Sequence, residues 1–352
     1  MDYGFRTPAS RPIAGGADFL RIAVLGAGSI GCFVGGVWTA RGCDVTFVGR
    51  RRVMDEVRAH GLRLSDYAGW SASMPPEQAR FTADPAALAH ADVILLTVKS
   101  NGTEAAATEI ARHAKKEAAV VSLQNGVGNA DLLRRLLPGR TVLAGMVPYN
   151  VAHLGGGRWH KGTAGQVIVE EGEISAGLKR MAGDSPAALA LSGDMPAILW
   201  GKLVINLNNA VNALSGKPLL AQLRERGYRR VVAAAQREAL GLLKEAGIKP
   251  AKVGALPSSL LPHALAAPDW LFNALLLRAH KVDANARTSM ADDFAAGRPT
   301  EIDHLNGEVV ALAERLGRTA PVNRRIVALV RAAEKGGRRD WRADELAKEV
   351  LG

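Results

Sequence analysis

The chain has 352 residues, of which 48% are hydrophobic and 22% charged, enough to build two domains of about 150 residues and too apolar for a disordered chain. Lys and Arg outnumber Asp and Glu by 45 to 34, but the basic residues are scattered and only 5% of the chain is aromatic, which argues against a nucleic-acid surface and for an anionic small-molecule ligand. Two cysteines, Cys32 and Cys43, exclude a disulfide framework and fit a reducing, cytoplasmic setting, and the histidines form no metal-ligand cluster.

The first 20 residues, rich in Pro, Gly and Ala, read as a disordered extension or an upstream start. Ile22, Ala23, Val24 and Leu25 then read as a buried strand running into Gly26-Ala27-Gly28-Ser29-Ile30-Gly31 and a helical pattern. In this Gly-x-Gly-x-x-Gly spacing the first glycine permits a tight turn, and the second admits a pyrophosphate. The third lets helix and strand pack closely. Residues 22–38 are apolar enough to resemble a membrane span, but glycines at this spacing argue for a buried strand-turn-helix and no membrane contact.

A second strand is expected over residues 44–48, completing a β-α-β unit. An NAD site places an acid near the end of that strand; here Gly49 is followed by Arg50, Arg51 and Arg52. A guanidinium holds a 2′-phosphate that an acid would repel, so the cofactor read from the residues is NADPH/NADP+, with Arg50 as its best single contact. The same arginines would also suit a solvated loop.

Residues 54–60 read as a short helix and 62–82 as irregular, broken at Pro75-Pro76. Apolar runs at 92–98, 118–123 and 141–147 read as parallel strands; the first is followed by Lys99 and the second by Gln124-Asn125-Gly126. Lys99 and Asn125 thus sit at carboxyl strand ends, on the side of the glycine loop, although Asn-Gly is also ordinary turn chemistry. Glycines and alternating valines over 150–172 suggest further strands, and from about residue 193 the pattern is helical, with a proline-rich bend over 250–268. The expected architecture is α/β: a Rossmann-type dinucleotide-binding domain over 21–192, then an all-α substrate-binding and catalytic domain over 193–352, with the active site between them.

In the helical half, residues 200–214 are apolar yet carry Lys202, Asn206, Asn208, Asn209 and Asn212. Read as one helix, Lys202, Asn206 and Asn209 share a face, with Asn208 and Asn212 elsewhere. An ammonium on so apolar a helix needs a partner, and burial lowers its pKa towards neutrality, which suits proton transfer. Ser289 and Asp293 lie four apart on another helix, broken at Gly297-Arg298-Pro299. Thr300-Glu301-Ile302-Asp303 then reads as a capping box, where Glu301 also suits a helix N-terminus as plain favourable charge.

Together these residues resemble the ketopantoate reductase (2-dehydropantoate 2-reductase) family from about Arg21 onwards. The resemblance rests on the glycine loop, Lys99, Gln124-Asn125-Gly126, Leu199-Trp200-Gly201-Lys202-Leu203 with Asn206, and Ser289 ahead of Thr300-Glu301-Ile302-Asp303. It implies NADPH-dependent reduction of ketopantoate to pantoate, on the route to pantothenate and coenzyme A. Lys202 is then the general acid and Glu301 organises the reacting centre. Asn125 and Asn206 position substrate or cofactor, Ser289 binds the polar end of the substrate, and Arg50 and Lys99 meet cofactor phosphate and ribose. A homodimer is plausible.

One position departs from the pattern. Some members carry a substrate-contacting Asn eight residues after the lysine; here Ala210 stands there, with Asn209 one residue earlier. Asn209 is expected to substitute. The competing readings are an NADPH-dependent reductase of another 2-oxo or 3-hydroxy acid, and a non-catalytic NADPH-binding protein, which would have no use for a Lys202–Glu301 pair.

Overall fold

The computed structural model describes residues 20–253, 256–277 and 286–352, so the extension expected over residues 1–20 lies, except for Leu20, outside the described residues. The chain forms two compact units: one runs up to Gln124 and resumes over Asn129–Gly193, and the other comprises Asn125–Gly128 and Asp194–Gly352. The α/β fold class expected from the sequence is the one found.

The first unit contains twelve strands among its described residues: β1 (Ile22–Leu25), β2 (Val45–Val48), β3 (Leu62–Asp66), β4 (Ser71–Met74), β5 (Arg80–Thr82), β6 (Val93–Leu96), β7 (Ala119–Ser122), β8 (Val142–Met146), β9 (Val151–Gly155), β10 (Arg158–Lys161), β11 (Val167–Glu170) and β12 (Leu189–Ser192). Eight form a sheet in the order β12-β11-β8-β7-β6-β1-β2-β5. Its neighbours pair in parallel except β8 with β11. The central strands β1, β6 and β7 are buried along their whole length, as continuous apolar runs require when both faces are covered.

Helix α1 (Ser29–Ala40) follows the glycine loop and is buried from Gly31 to Trp38. Two sheets enclose it. A methyl built on Gly35 would meet Phe47 Cε1 of the main sheet at 2.6 Å, and one on Gly36 would meet Leu62 Cδ2 of the second sheet at 2.8 Å. The membrane-like hydropathy of residues 22–38 therefore reflects packing on two sides. Among the described residues no helix is long and apolar enough to cross a membrane.

That second sheet, ordered β4-β3-β10-β9, corrects the expectation of irregular structure over 62–82. Leu62 and Leu64 alternate inwards, but the run is short and polar on its other face. Its parallel partner β10 lies almost a hundred residues downstream. β5 is an equally short edge strand, held by Phe81 stacked on Phe47 at 4.4 Å. Four further helices complete this unit: α2 (Arg51–His60), α3 (Thr103–His113), α4 (Asn129–Leu136) and α5 (Glu173–Ala182).

The second unit is all helical among its described residues: α6 (Met195–Asn206), α7 (Asn208–Ser215), α8 (Leu219–Arg224), α9 (Arg226–Glu245), α10 (Leu261–Ala266), α11 (Asp269–Leu271), α12 (Ser289–Ala295), α13 (Asn306–Arg315), α14 (Pro321–Glu334) and α15 (Ala343–Leu351). A π-helical turn over Phe272–Leu277 follows α11. The long helix α9 packs against α6, α7, α10, α13, α14 and α15. Asp194 starts α6, its carboxylate accepting from Ala197 N at 3.1 Å with Pro196 in the first turn.

Two helical expectations need correcting. Residues 200–214 form two consecutive helices rather than one, joined at Leu207, whose backbone stays in the right-handed helical region; the Val204 carbonyl there accepts from Gln236 Nε2 at 3.0 Å. The rotation from Lys202 to Asn206 holds within α6, whereas Asn209 belongs to α7. The capping box over 300–303 does not form either. Thr300 gives its backbone N–H and its hydroxyl to Glu334 Oε1, at 2.8 and 2.7 Å. A single 3-10 turn, Ile302–His304, intervenes, and α13 begins only at Asn306. Glu334 takes the Thr300 N–H that a capping box would give to Asp303, while the Thr300 hydroxyl oxygen still accepts from Ile302 N at 3.3 Å.

Candidate active site

The glycine loop divides its work as its spacing requires. Gly26 has φ +100°, and its Cα lies so close to β6 that an added methyl would sit 2.5 Å from Val98 N. Thr97 locks this turn by donating its hydroxyl to the Gly26 carbonyl at 2.8 Å. Nothing but the Gly26 carbonyl, at 3.8 Å, would meet a methyl on Gly28. Gly31 packs on Val24 and Thr97, both within 3 Å of a built methyl. Ala27 is buried against Gly49 at the end of β2. Gly28 caps α1 without a side-chain hydrogen bond, and no acid occupies the first turn, which includes Ser29 and Ile30. The leading N–H groups of α1 and the open space over Gly28 fit a pyrophosphate. Arg50 follows β2 after Gly49, exposed, as the cap residue of α2.

Lys99 lies exposed just beyond β6. The turns after β6 and β7 are laced together by buried polar groups that sequence reasoning missed. Gln124 Nε2 donates to Thr103 Oγ1 at 2.8 Å, and Asn129 Nδ2 to Ser100 Oγ at 3.1 Å. Thr103 Oγ1 also lies 3.0 Å from Asn129 Oδ1. Their only sequence signal was polarity at the ends of apolar strands.

In the helical unit three of the singled-out residues meet. Lys202 Nζ donates to Asn125 Oδ1 at 2.8 Å, and Asn125 Nδ2 donates to Glu301 Oε2 at 3.2 Å. Glu301 is only 7% exposed. Burial lowers the Lys202 ammonium from its ordinary 10.5 to about 8, with the Glu301 carboxylate pulling the other way. The amide of Asn125 thus stands between cation and anion, accepting from one and donating to the other.

Asn206 ends α6 and Asn209 lies in the first turn of α7, both half-buried, while Ala210 is fully buried. Ser289 is exposed at the start of α12. Thr288 joins α12 to α7: its hydroxyl lies 3.0 Å from Asn212 Oδ1 and 3.4 Å from the Asn209 carbonyl. Asn212, fully buried, also donates to the Lys217 carbonyl at 3.0 Å, so it is the staple that holds Ser289 beside the Asn209 turn. Asp293 is engaged by Arg298 at 3.1 Å. Among the described residues no group of His, Cys, Asp and Glu is arranged to hold a metal.

The family model described as ketopantoate reductase PanE/ApbA matches residues 22–173, and that of its C-terminal domain matches residues 194–334. A 2-dehydropantoate 2-reductase of Halobacterium salinarum is 30% identical, over 90% of this chain and 100% of its own. The one from Archaeoglobus fulgidus is 28% identical over 90% and 98%. Among solved structures, a PanE/ApbA family ketopantoate reductase from Ralstonia eutropha superposes with a TM-score of 0.77 at 30% identity, covering 90% of this chain and 99% of its own. D-mandelate dehydrogenase, solved with NADH and anilino(oxo)acetate, shares the fold at TM-score 0.74 and 19% identity, over 90% and 99%. Family models over both halves, and relatives matched along almost their whole length, make the chain a member of the ketopantoate reductase (PanE/ApbA) family of dinucleotide-binding oxidoreductases.

Proposed function

We propose that the protein reduces ketopantoate to pantoate with NADPH, in the cytoplasmic route to pantothenate and coenzyme A, as a homodimer. Residues 21–192 bind the cofactor, and 193–352 bind the substrate and supply the proton. The observation that carries this reading is the hydrogen-bonded set Lys202–Asn125–Glu301, in which the ammonium titrates at about 8. A donor poised there is protonated at neutral pH and still gives up its proton readily.

A bound nicotinamide dinucleotide supplies the hydride. Lys202 Nζ holds the proton destined for the carbonyl oxygen of the substrate and polarises that carbonyl beforehand. Asn125 aims the ammonium, and the Glu301 carboxylate keeps it charged. Asn206, Asn209 and Ser289 orient the carboxylate and hydroxyl of the substrate. Gly26, Ala27, Gly28, Ser29, Ile30 and Gly31 receive the pyrophosphate, Arg50 the 2′-phosphate and Lys99 the ribose-phosphate side.

The test is consumption of NADPH with ketopantoate beside a panel of other 2-oxo acids, with NADH as the control cofactor. Ketopantoate with NADPH is expected to lead. Arg50→Asp is expected to cut the preference for NADPH over NADH by about 10- to 100-fold, the worth of a lost charge-assisted contact. Wild-type turnover of NADH equal to NADPH would remove the cofactor assignment, and faster turnover of another acid would remove the substrate.

Burial of Ala210 supports Asn209 as the substrate contact, because the core-facing position of α7 has no room for an amide at the substrate. Asn209→Ala is therefore expected to raise the KM for the 2-oxo acid about tenfold, one lost hydrogen bond to a charged group. Unchanged turnover and KM would sink that role.

A further inference from the structure

The helical unit carries a crevice of about 880 Å³, lined by the C-terminal half of α9, residues 247–252 and α10. None of the residues assigned above to substrate or proton transfer lines it. Its apolar surface comes from Leu240, Ile248, Pro250 and Pro262. Its exposed cations are Arg237, Lys244, Lys249 and Lys252, with His263 beside them, and no carboxylate lines it. The acids of α9 nearest to it are engaged elsewhere. Glu245 pairs with Arg318 at 2.9 Å, and Glu238 accepts from Asn323 Nδ2 at 2.7 Å. Lys244 suits the negative end of α9, but Lys249 and Lys252 lie beyond that helix and gain nothing from its dipole. The volume is that of a small-molecule site, and clustered lysines are point-charge binders of phosphate.

One wall of this crevice is fastened to the helix that bears Lys202. Ala251 N donates to the Ala197 carbonyl of α6 at 2.8 Å. The Ala251 carbonyl accepts from Ser258 Oγ at 3.1 Å and presses on α6 so closely that a methyl on Gly201 would lie 2.3 Å from it. Gly201 directly precedes Lys202. Charge drawn towards Lys249 and Lys252 therefore pulls on a strap, Pro250-Ala251, that rests on the turn of α6 carrying the ammonium.

We propose that this crevice is an effector site for an organic phosphate with an apolar body, and that its occupant acts on Lys202 through Ala251 and Gly201. The binding stands by itself. The effect on turnover rests on the reading of Lys202 as proton donor.

The experiment is calorimetric titration of the full-length protein with octyl phosphate, with and without saturating NADPH, alongside inorganic phosphate and octanol. Saturable one-site binding is expected, unchanged by NADPH and at least about tenfold tighter than either half-molecule. Lys249→Glu/Lys252→Glu is expected to weaken it about tenfold or more by reversing the charge. Gly241→Leu is expected to block it without touching the charge, since nothing lies within 4 Å of a methyl built on Gly241. Both changes are at exposed positions, and melting temperature checks that each variant is folded. Absence of saturable binding, competition by NADPH, or full affinity in both variants would overturn the site. So would a variant that dissociates a dimer in sedimentation, because a second copy would then be the occupant. Binding that leaves kcat unmoved, in a protein whose Lys202→Ala variant is inactive, would overturn the coupling and leave the site.

Discussion

Replacing Lys202 by Ala is expected to lower kcat by about 10²- to 10⁴-fold while dinucleotide affinity stays at the wild-type value. The loss is that of a positioned proton donor. Its pH signature separates it from damage to the fold. With the ammonium titrating at about 8, wild-type kcat/KM in the reductive direction should hold below that pH and fall roughly tenfold per unit above it, as the proton is lost. Glu301→Gln removes the carboxylate that raises the Lys202 pKa, so the falling limb should move to lower pH. Lys202→Arg keeps the cation but not an exchangeable proton near neutrality, so its residual rate should be low and flat with pH. The measurements are initial rates of nicotinamide absorbance change across pH, and fluorescence titration of the cofactor. A Lys202→Ala enzyme retaining a third of its turnover would dismiss the lysine as donor.

The second large effect is expected in the glycine loop, as a contrast between neighbours. Gly26→Ala places a methyl in a left-handed backbone conformation and drives it to 2.5 Å from Val98 N. Strain and overpacking together should cost about 3 kcal/mol, a drop of order 5–10 °C in melting temperature. Gly28→Ala meets only the Gly26 carbonyl at 3.8 Å, at an ordinary φ of −93°. That variant should melt as the wild type does and yet bind dinucleotide at least about tenfold more weakly, because the methyl fills the place of the phosphates. Calorimetric scans and cofactor titration read the two effects separately. Equal cofactor affinity in Gly28→Ala would remove the pyrophosphate from that loop.

Much of this was legible because local chemistry and tertiary role coincide. The order Gly26, Gly28, Gly31 states a turn, an opening and a close contact, and each was found. Lys202 on an apolar helix announced a partner, and the partner is Asn125, itself held by Glu301. What escaped depended on residues distant in sequence. Strand β3 pairs with its neighbour β4 on one side and with the distant β10 on the other, and nothing in Leu62-Arg63-Leu64 names residue 158. Thr300 and Asp303 have the spacing of a capping box, but Glu334, from the end of α14, takes the Thr300 N–H that the box would give to Asp303. The joint at Leu207 was invisible for a similar reason: the Val204 carbonyl beside it accepts from Gln236, some thirty residues on. The part that Asn212 plays in holding Thr288 likewise joins residues far apart in sequence.

Asn125–Gly128 belongs with the helical unit although both flanking stretches belong to the first unit. Val127 packs on the helical core, and Asn125 holds Lys202. A gene fragment cut at residue 194 would therefore encode a helical domain lacking four residues that complete it, with its reactive lysine deprived of an acceptor. The two halves are separable as cores but not as cassettes. Recombination that exchanged one cofactor domain for another would have to carry over the Asn-Gly turn that fits the helices, or leave Lys202 without its acceptor.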